Sequence, residues 1–125
     1  MKKALLLLAA VLLGAPALAV DQPPAATAQV CTAVKDRAPE GVGEKFPASV
    51  GELYCYSQVT NVTGKVVHVW FHADKEVFRI ELPVKAARWR TWSAKKVVPG
   101  LTGVWRVEVQ DAAGKVLATA NFAVE

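Results

Sequence analysis

From Val30 to the end of the chain, apolar residues recur at every second position in short runs, and Gly, Asn, Asp or Pro separate one run from the next. A period of two is the spacing of a β-strand with one buried face. The pattern predicts strands over 30–34, 53–60, 65–72, 77–82, 88–93, 104–110 and 116–124. Seven short strands in a chain of this size predict one all-β domain, an immunoglobulin-like antiparallel β-sandwich spanning 30–125. Alternation assigns the core as well. Trp105, Val107 and Val109 share a face, as do Phe78, Ile80 and Leu82, and Val116, Ala118, Ala120, Phe122 and Val124 form a further inward row. Arg106, Glu108 and Gln110, with Arg79 and Glu81, take the opposite faces.

Three connections carry turn chemistry: Asn61-Val62-Thr63-Gly64, Ala73-Asp74-Lys75 and Asp111-Ala112-Ala113-Gly114 are each read as hairpin turns, the last as a type I turn closed by a left-handed Gly. The stretch 35–52 is different. It holds Pro39, Gly41, Gly43, Pro47 and Gly51 and is expected to be one long connection over an end of the sandwich.

The N-terminus changes the picture of where the domain works. Lys2 and Lys3, an apolar run over 4–13 and Ala17-Leu18-Ala19 have the three-part anatomy of a secretory signal, 1–19, that is cleaved ahead of Val20. The apolar run is too short to span a bilayer, which takes about 20 residues, and no second such run follows. The expected product has no transmembrane segment and is periplasmic or secreted. Residues 20–29, with Pro23-Pro24, are expected to form a flexible Pro/Ala leader. The formal charge of +4 falls to +2 when Lys2 and Lys3 are removed, which argues against a nucleic-acid partner. Cys31 and Cys55 are an even pair in an exported chain and are expected to form a structural disulfide, contributing on the order of 3 kcal/mol.

Candidate chemistry concentrates in two places. In Arg88-Trp89-Arg90-Thr91-Trp92-Ser93 alternation sets Arg88, Arg90 and Trp92 against Trp89, Thr91 and Ser93, so the two tryptophans cannot both be core in a regular strand. An outward Trp92 beside arginines and near Lys95 suits a sugar ring, a carboxylate or a phosphate; the plainer alternative is an arginine stem covering a rim indole. His68, Trp70 and His72 share one strand face. Two histidines four apart on a strand stand ~13 Å from each other, too far for one zinc ion, so no metal site is expected from this pair. Trp70 falls where immunoglobulin-like domains bury a tryptophan, and His68 reads equally well as a histidine hydrogen-bonded beside it. No motif for a nucleophile elbow, a metalloprotease helix, a phosphate loop or an activated cysteine is present; neither a catalytic residue nor a cofactor is expected.

Asp36-Arg37-x-Pro39, Tyr54, His68-x-Trp70, the block Trp89-Arg90-Thr91-Trp92-Ser93-x-Lys95, Gly103-x-Trp105-Arg106-Val107, Asp111-x-x-Gly114 and Phe122-x-Val124 together resemble the bacterial family called domain of unknown function 2914. The resemblance implies an envelope-associated domain and supplies no catalytic residue. The expected function is therefore a non-catalytic cell-envelope binding module, recognising an anionic glycan or an envelope protein through Arg88, Arg90, Trp92, Lys95, His68 and Trp70. A small envelope enzyme or metal-binding protein using His68, His72 and Asp74 is the first alternative. A purely structural domain that assembles through an open edge strand is the second.

Overall fold

The computed structural model describes residues 22–125, so the expected signal and the cleavage point lie outside the described residues. The strands in chain order are β1 (Ala25–Cys31), β2 (Ala33–Lys35), β3 (Ala38–Glu40), β4 (Lys45–Phe46), β5 (Glu52–Thr60), β6 (Gly64–His72), β7 (Lys75–Val84), β8 (Arg88–Lys96), β9 (Gly103–Gln110) and β10 (Val116–Val124). Seven are long, and β2, β3 and β4 are pieces of two or three residues. One sheet has the order β4-β10-β9-β6-β7 and the other the order β1-β5-β8. All pairings are antiparallel except that of β4 with β10. This is the β-sandwich that the period-two pattern predicts, and no helix among the described residues is long and apolar enough to cross a membrane.

The interior follows from the alternation. Trp70, Trp105, Val107, Phe122 and Val124 from the larger sheet meet Val30, Leu53 and Cys55 from the smaller, and Val59, Val66, Val84 and Val109 continue the core beyond. Phe78 and Leu82 pack on these clusters from the edge strand β7. Trp105 and Phe122 lie ring to ring at 5.8 Å and Trp70 meets Phe122 edge-on at 6.2 Å, the geometries in which aromatic pairs attract.

Several expectations are corrected. Ala25 to Gln29, assigned to a flexible leader, form most of β1 and pair with β5 from Ala25↔Thr60 to Gln29↔Tyr56; alanines at 26 and 28 are small enough to lie inward at an edge, a pattern that reads as linker by composition. The connection 35–52 is not one loop. Its start folds into a miniature hairpin, β2–β3, whose two central residues Asp36 and Arg37 both have positive φ, 52° and 62°, the type I′ geometry that suits the twist of a two-residue hairpin. Its middle crosses to the larger sheet as β4. Asn61 to Thr63 likewise carry the chain from one sheet to the other instead of closing a hairpin. Ala73-Asp74 do close one, at φ 50° and 66°. Asp111 caps its own turn by accepting Ala113 N–H and Lys115 N–H. In β10 a register shift next to Val109 leaves Val116 exposed and turns Leu117 toward the core.

The expected disulfide is absent: Cys31 and Cys55 are free thiols. The register supplies the reason. Cys55 lies opposite Val30 and Cys31 opposite Tyr54, and directly paired residues point to the same face while neighbours along a strand point to opposite faces. Cys55 therefore enters the core with Val30, and Cys31 points to the opposite face of the sheet, where it is buried against the backbone of Ala33 and Glu40. Burial pushes the Cys31 thiol up, and it pushes the Cys55 thiol up to about 12, so both remain protonated at neutral pH.

Candidate binding face

The pairing of β8 with β5 decides which side chains look outward. Arg88, Arg90 and Trp92 lie opposite Thr60, Gln58 and Tyr56 and share their outer face, whereas Trp89 lies opposite Val59 and turns in. The two-residue alternation in β8 thus separates its tryptophans as the sequence predicts. Trp92 is half-buried because it stacks on Tyr56, ring centroids 6.0 Å apart and 15° from parallel. Asn61 N–H donates to Ala87 carbonyl at one end of this ladder and Val97 N–H to Gly51 carbonyl at the other. Both belong to the register in which odd-numbered residues of β8 hydrogen-bond to β5. Trp92 and Tyr56 are then a non-hydrogen-bonded pair, the kind whose side chains come closest.

The β2–β3 hairpin completes the face. Tyr56 Oη donates to the Arg37 carbonyl at 2.6 Å and Arg90 Nη1 to the same oxygen at 3.2 Å, so the hairpin tip is tied to the centre of the smaller sheet. Gly41 allows the close approach: its φ is 71°, and a Cβ there would overlap Thr32 Oγ1. Two adjoining cavities open on the result. One, of about 230 Å³, is lined by Arg37, Lys85, Trp89, Arg90 and Trp92 among others. The other, of about 450 Å³, is lined by Arg37, Gln58, Thr60, Arg88 and Arg90 among others. Arg37, Lys85, Arg88 and Arg90 are exposed, and none has a carboxylate within ion-pair distance among the described residues.

Three of the expected site residues do not join this face. Lys95 has the inward parity of Trp89, lies at the far end of β8 opposite Leu53, and donates from Nζ to the Lys96 carbonyl. His68 and Trp70 are both 0 % exposed. His68 lies between the sheets, with Nε2 2.9 Å from Ser57 Oγ and Nδ1 2.6 Å from Ser93 Oγ, and Trp70 Nε1 donates to Ser93 Oγ at 3.1 Å. Indole can only donate, and Ser57 Oγ also reaches the Thr91 carbonyl at 3.3 Å. One direction satisfies every group: Trp70 N–H to Ser93, Ser93 O–H to Nδ1, Nε2–H to Ser57, Ser57 O–H to Thr91. Neutral His68 fits this chain, and burial lowers its pKa to about 4. The histidine is a polar bolt joining β6 to β5 and β8, with no route to a ligand.

The remaining chemistry-bearing residues are also occupied. His72 approaches the Thr102 carbonyl through Nε2 at 2.7 Å and leans on the Trp105 ring, and Asp74 is ion-paired with Arg106. His68, His72 and Asp74 therefore point to three different environments, and no cluster of three or more metal-ligating side chains occurs among the described residues. The contributions of Arg37, Lys85 and Tyr56 to the outer face are missed by the sequence reading. The Asp36-Arg37 dipeptide before Pro39 signals a turn, but nothing along the chain shows that this turn docks on β5 and β8.

The fold and this face define a class: a two-layer immunoglobulin-like sandwich presenting a basic, aromatic surface on its three-stranded layer. Residues 63–124 match the family described as protein of unknown function (DUF2914), and the chain belongs to that family. The match takes in β6 to β10, and so Arg88, Arg90 and Trp92, while Arg37 and Tyr56 precede it. No curated protein matches the chain.

Proposed function

We propose that this chain is a non-catalytic binding module of the cell envelope, exported and engaging an anionic partner through the outer face of the β1-β5-β8 sheet. One observation carries the reading: Arg37 and Arg90 border the Tyr56–Trp92 stack, Lys85 and Arg88 line the adjoining cavities, and no carboxylate among the described residues lies within ion-pair distance of any of the four. Cations left unpaired around an aromatic platform raise the local concentration of anions and offer them both charge and a flat ring. An exported location rests on the tripartite N-terminus. The test uses defined polyanions, dextran sulfate and polyglutamate, titrated at low ionic strength. The native protein binds at least one of them, binding weakens as salt rises, and an Arg88→Ala/Arg90→Ala variant of unchanged melting temperature binds about tenfold more weakly. Equal binding by the variant contradicts the reading.

A further inference from the structure

The β8 strand has a neighbour on one side only. Because the hydrogen-bonded register with β5 uses the odd-numbered residues, the backbone N–H and C=O groups of Arg88, Arg90, Trp92 and Ala94 point away from β5, toward the vacant side. No backbone partner takes them up among the described residues. The other sheet edges are covered in part. On β1, Val30 carbonyl accepts from Gly43 N–H; on β10, β4 and the bond from Ala123 N–H to Glu44 carbonyl cover one end. Edge strand β7 carries Pro83 and the charge pairs Arg79–Glu76 and Glu81–Lys65.

We propose that the open edge of β8 accepts an extended acidic segment of a partner protein as an added strand, extending the β1-β5-β8 sheet by one. The inference rests on the anionic-partner reading above and specifies its chemistry. Side chains of an added strand alternate between the two faces of the sheet. Those level with Arg88, Arg90 and Trp92 meet two guanidinium groups and a ring, with Lys85 and Arg37 close by, and acidic residues belong there. Those level with Trp89 and Thr91 meet partly buried ground, and apolar residues belong there. The partner segment therefore alternates acidic with aliphatic side chains. A second copy of this chain is the poorer occupant, since pairing β8 with β8 brings arginines of both copies onto one face. Main-chain bonds would supply much of the affinity and the cations the choice of sequence.

The experiment uses the intact exported protein and three synthetic heptapeptides: alternating Glu and Val, the same peptide N-methylated at alternate backbone nitrogens so that one edge loses its donors, and alternating Lys and Val. Binding is read by fluorescence polarisation and amide exchange by NMR. The Glu-Val peptide binds, slows exchange at the Arg90, Trp92 and Ala94 amides, and loses about tenfold in affinity with Arg88→Ala/Arg90→Ala, the size expected of two cross-strand charge pairs. The N-methylated and Lys-Val peptides bind at least tenfold more weakly. If the N-methylated peptide binds as well as its parent, or exchange at those amides is unchanged, strand addition is wrong while the anionic reading stands. If dextran sulfate binds and no peptide does, the partner is a glycan and the strand proposal is overturned. If neither the peptides nor the polyanions bind, both readings fall and the arginines serve only to keep a bare edge from self-pairing.

Discussion

The sandwich has two outer faces, and they handle charge in opposite ways. On the five-stranded sheet Arg106 is held by Asp74 and Glu108 and lies 3.9 Å from the centre of the Phe71 ring. Arg79 is paired with Glu76, Lys65 with Glu81, and Gln110 with Glu108. Beneath this mesh Val69 is wholly buried although it points away from the core. On the three-stranded sheet Arg37, Arg88 and Arg90 have no ion-pair partner among the described residues, and Trp92 beside Arg90 is stacked on Tyr56. The same architecture thus presents one face whose charges are satisfied within the molecule and one whose charges are not. Burial and internal pairing mark the first as structure. Unpaired cations on the second are what the proposed binding role uses.

The comparison can be broken by substitution. The largest effect is expected at Tyr56, which is 2 % exposed and supports both Trp92 and the hairpin. Tyr56→Ala should cost about 3–5 kcal/mol in chemical denaturation and abolish polyanion binding, whereas Tyr56→Phe loses only the bond to Arg37 carbonyl, about 1 kcal/mol. Equal losses from the two would mean that the ring is not what holds the face together.

Next in size is the joint between the layers. With its pKa lowered to about 4 by burial, against an ordinary value of 6.5, His68 is neutral in the fold. Below pH 6.5 the unfolded chain takes up a proton that the folded chain refuses, so stability is full above that pH, declines as pH falls toward 4, and levels off beneath it. The contribution lost is about 3 kcal/mol. Denaturation of the native protein and His68→Gln across this range should give curves that converge on acidification, and parallel curves would show that the ring is already protonated in the fold.

Arg106→Ala removes two ion pairs and a cation–ring contact from the satisfied face. It should lower stability by about 1–2 kcal/mol and leave polyanion binding unchanged. Arg88→Ala/Arg90→Ala should do the reverse, moving stability by less than about 0.5 kcal/mol while weakening binding. Should the two variants behave alike, the distinction between the faces is wrong. The smallest effect is expected from a reducing agent, which should leave the melting temperature where it was because Cys31 and Cys55 are already thiols.

What was legible in the sequence was whatever depends on one strand at a time. Alternation alone places Trp105, Val107 and Val109 inside and separates Trp92 from Trp89, since period two is a property of the strand itself. Pairing register is a property of two strands, and no single strand's pattern carries it. Cys31 and Cys55 are spaced suitably for a bridge, but an offset of one residue across β1 and β5 sets them on opposite faces. A bulge exchanges Val116 for Leu117 in the same way. Alternation puts His68 on the face of Trp70, yet the hydroxyl groups that consume its nitrogens come from the opposite sheet. The basic face depends on contacts still more distant in the chain: Arg37 meets Tyr56 and Arg90 across 19 and 53 positions, and no local pattern encodes that meeting.

The four indole N–H signals offer the most direct measurement. In Trp70 and Trp105 this group is bonded to Ser93 Oγ and the Leu101 carbonyl inside the fold, while Trp92 is stacked on the basic face. When polyglutamate or dextran sulfate is added to the labelled protein in an NMR titration, the Trp92 signal should move with the concentration of polyanion and those of Trp70 and Trp105 should stay in place. A titration in which Trp92 is silent, or in which all the indoles move together, would contradict the account.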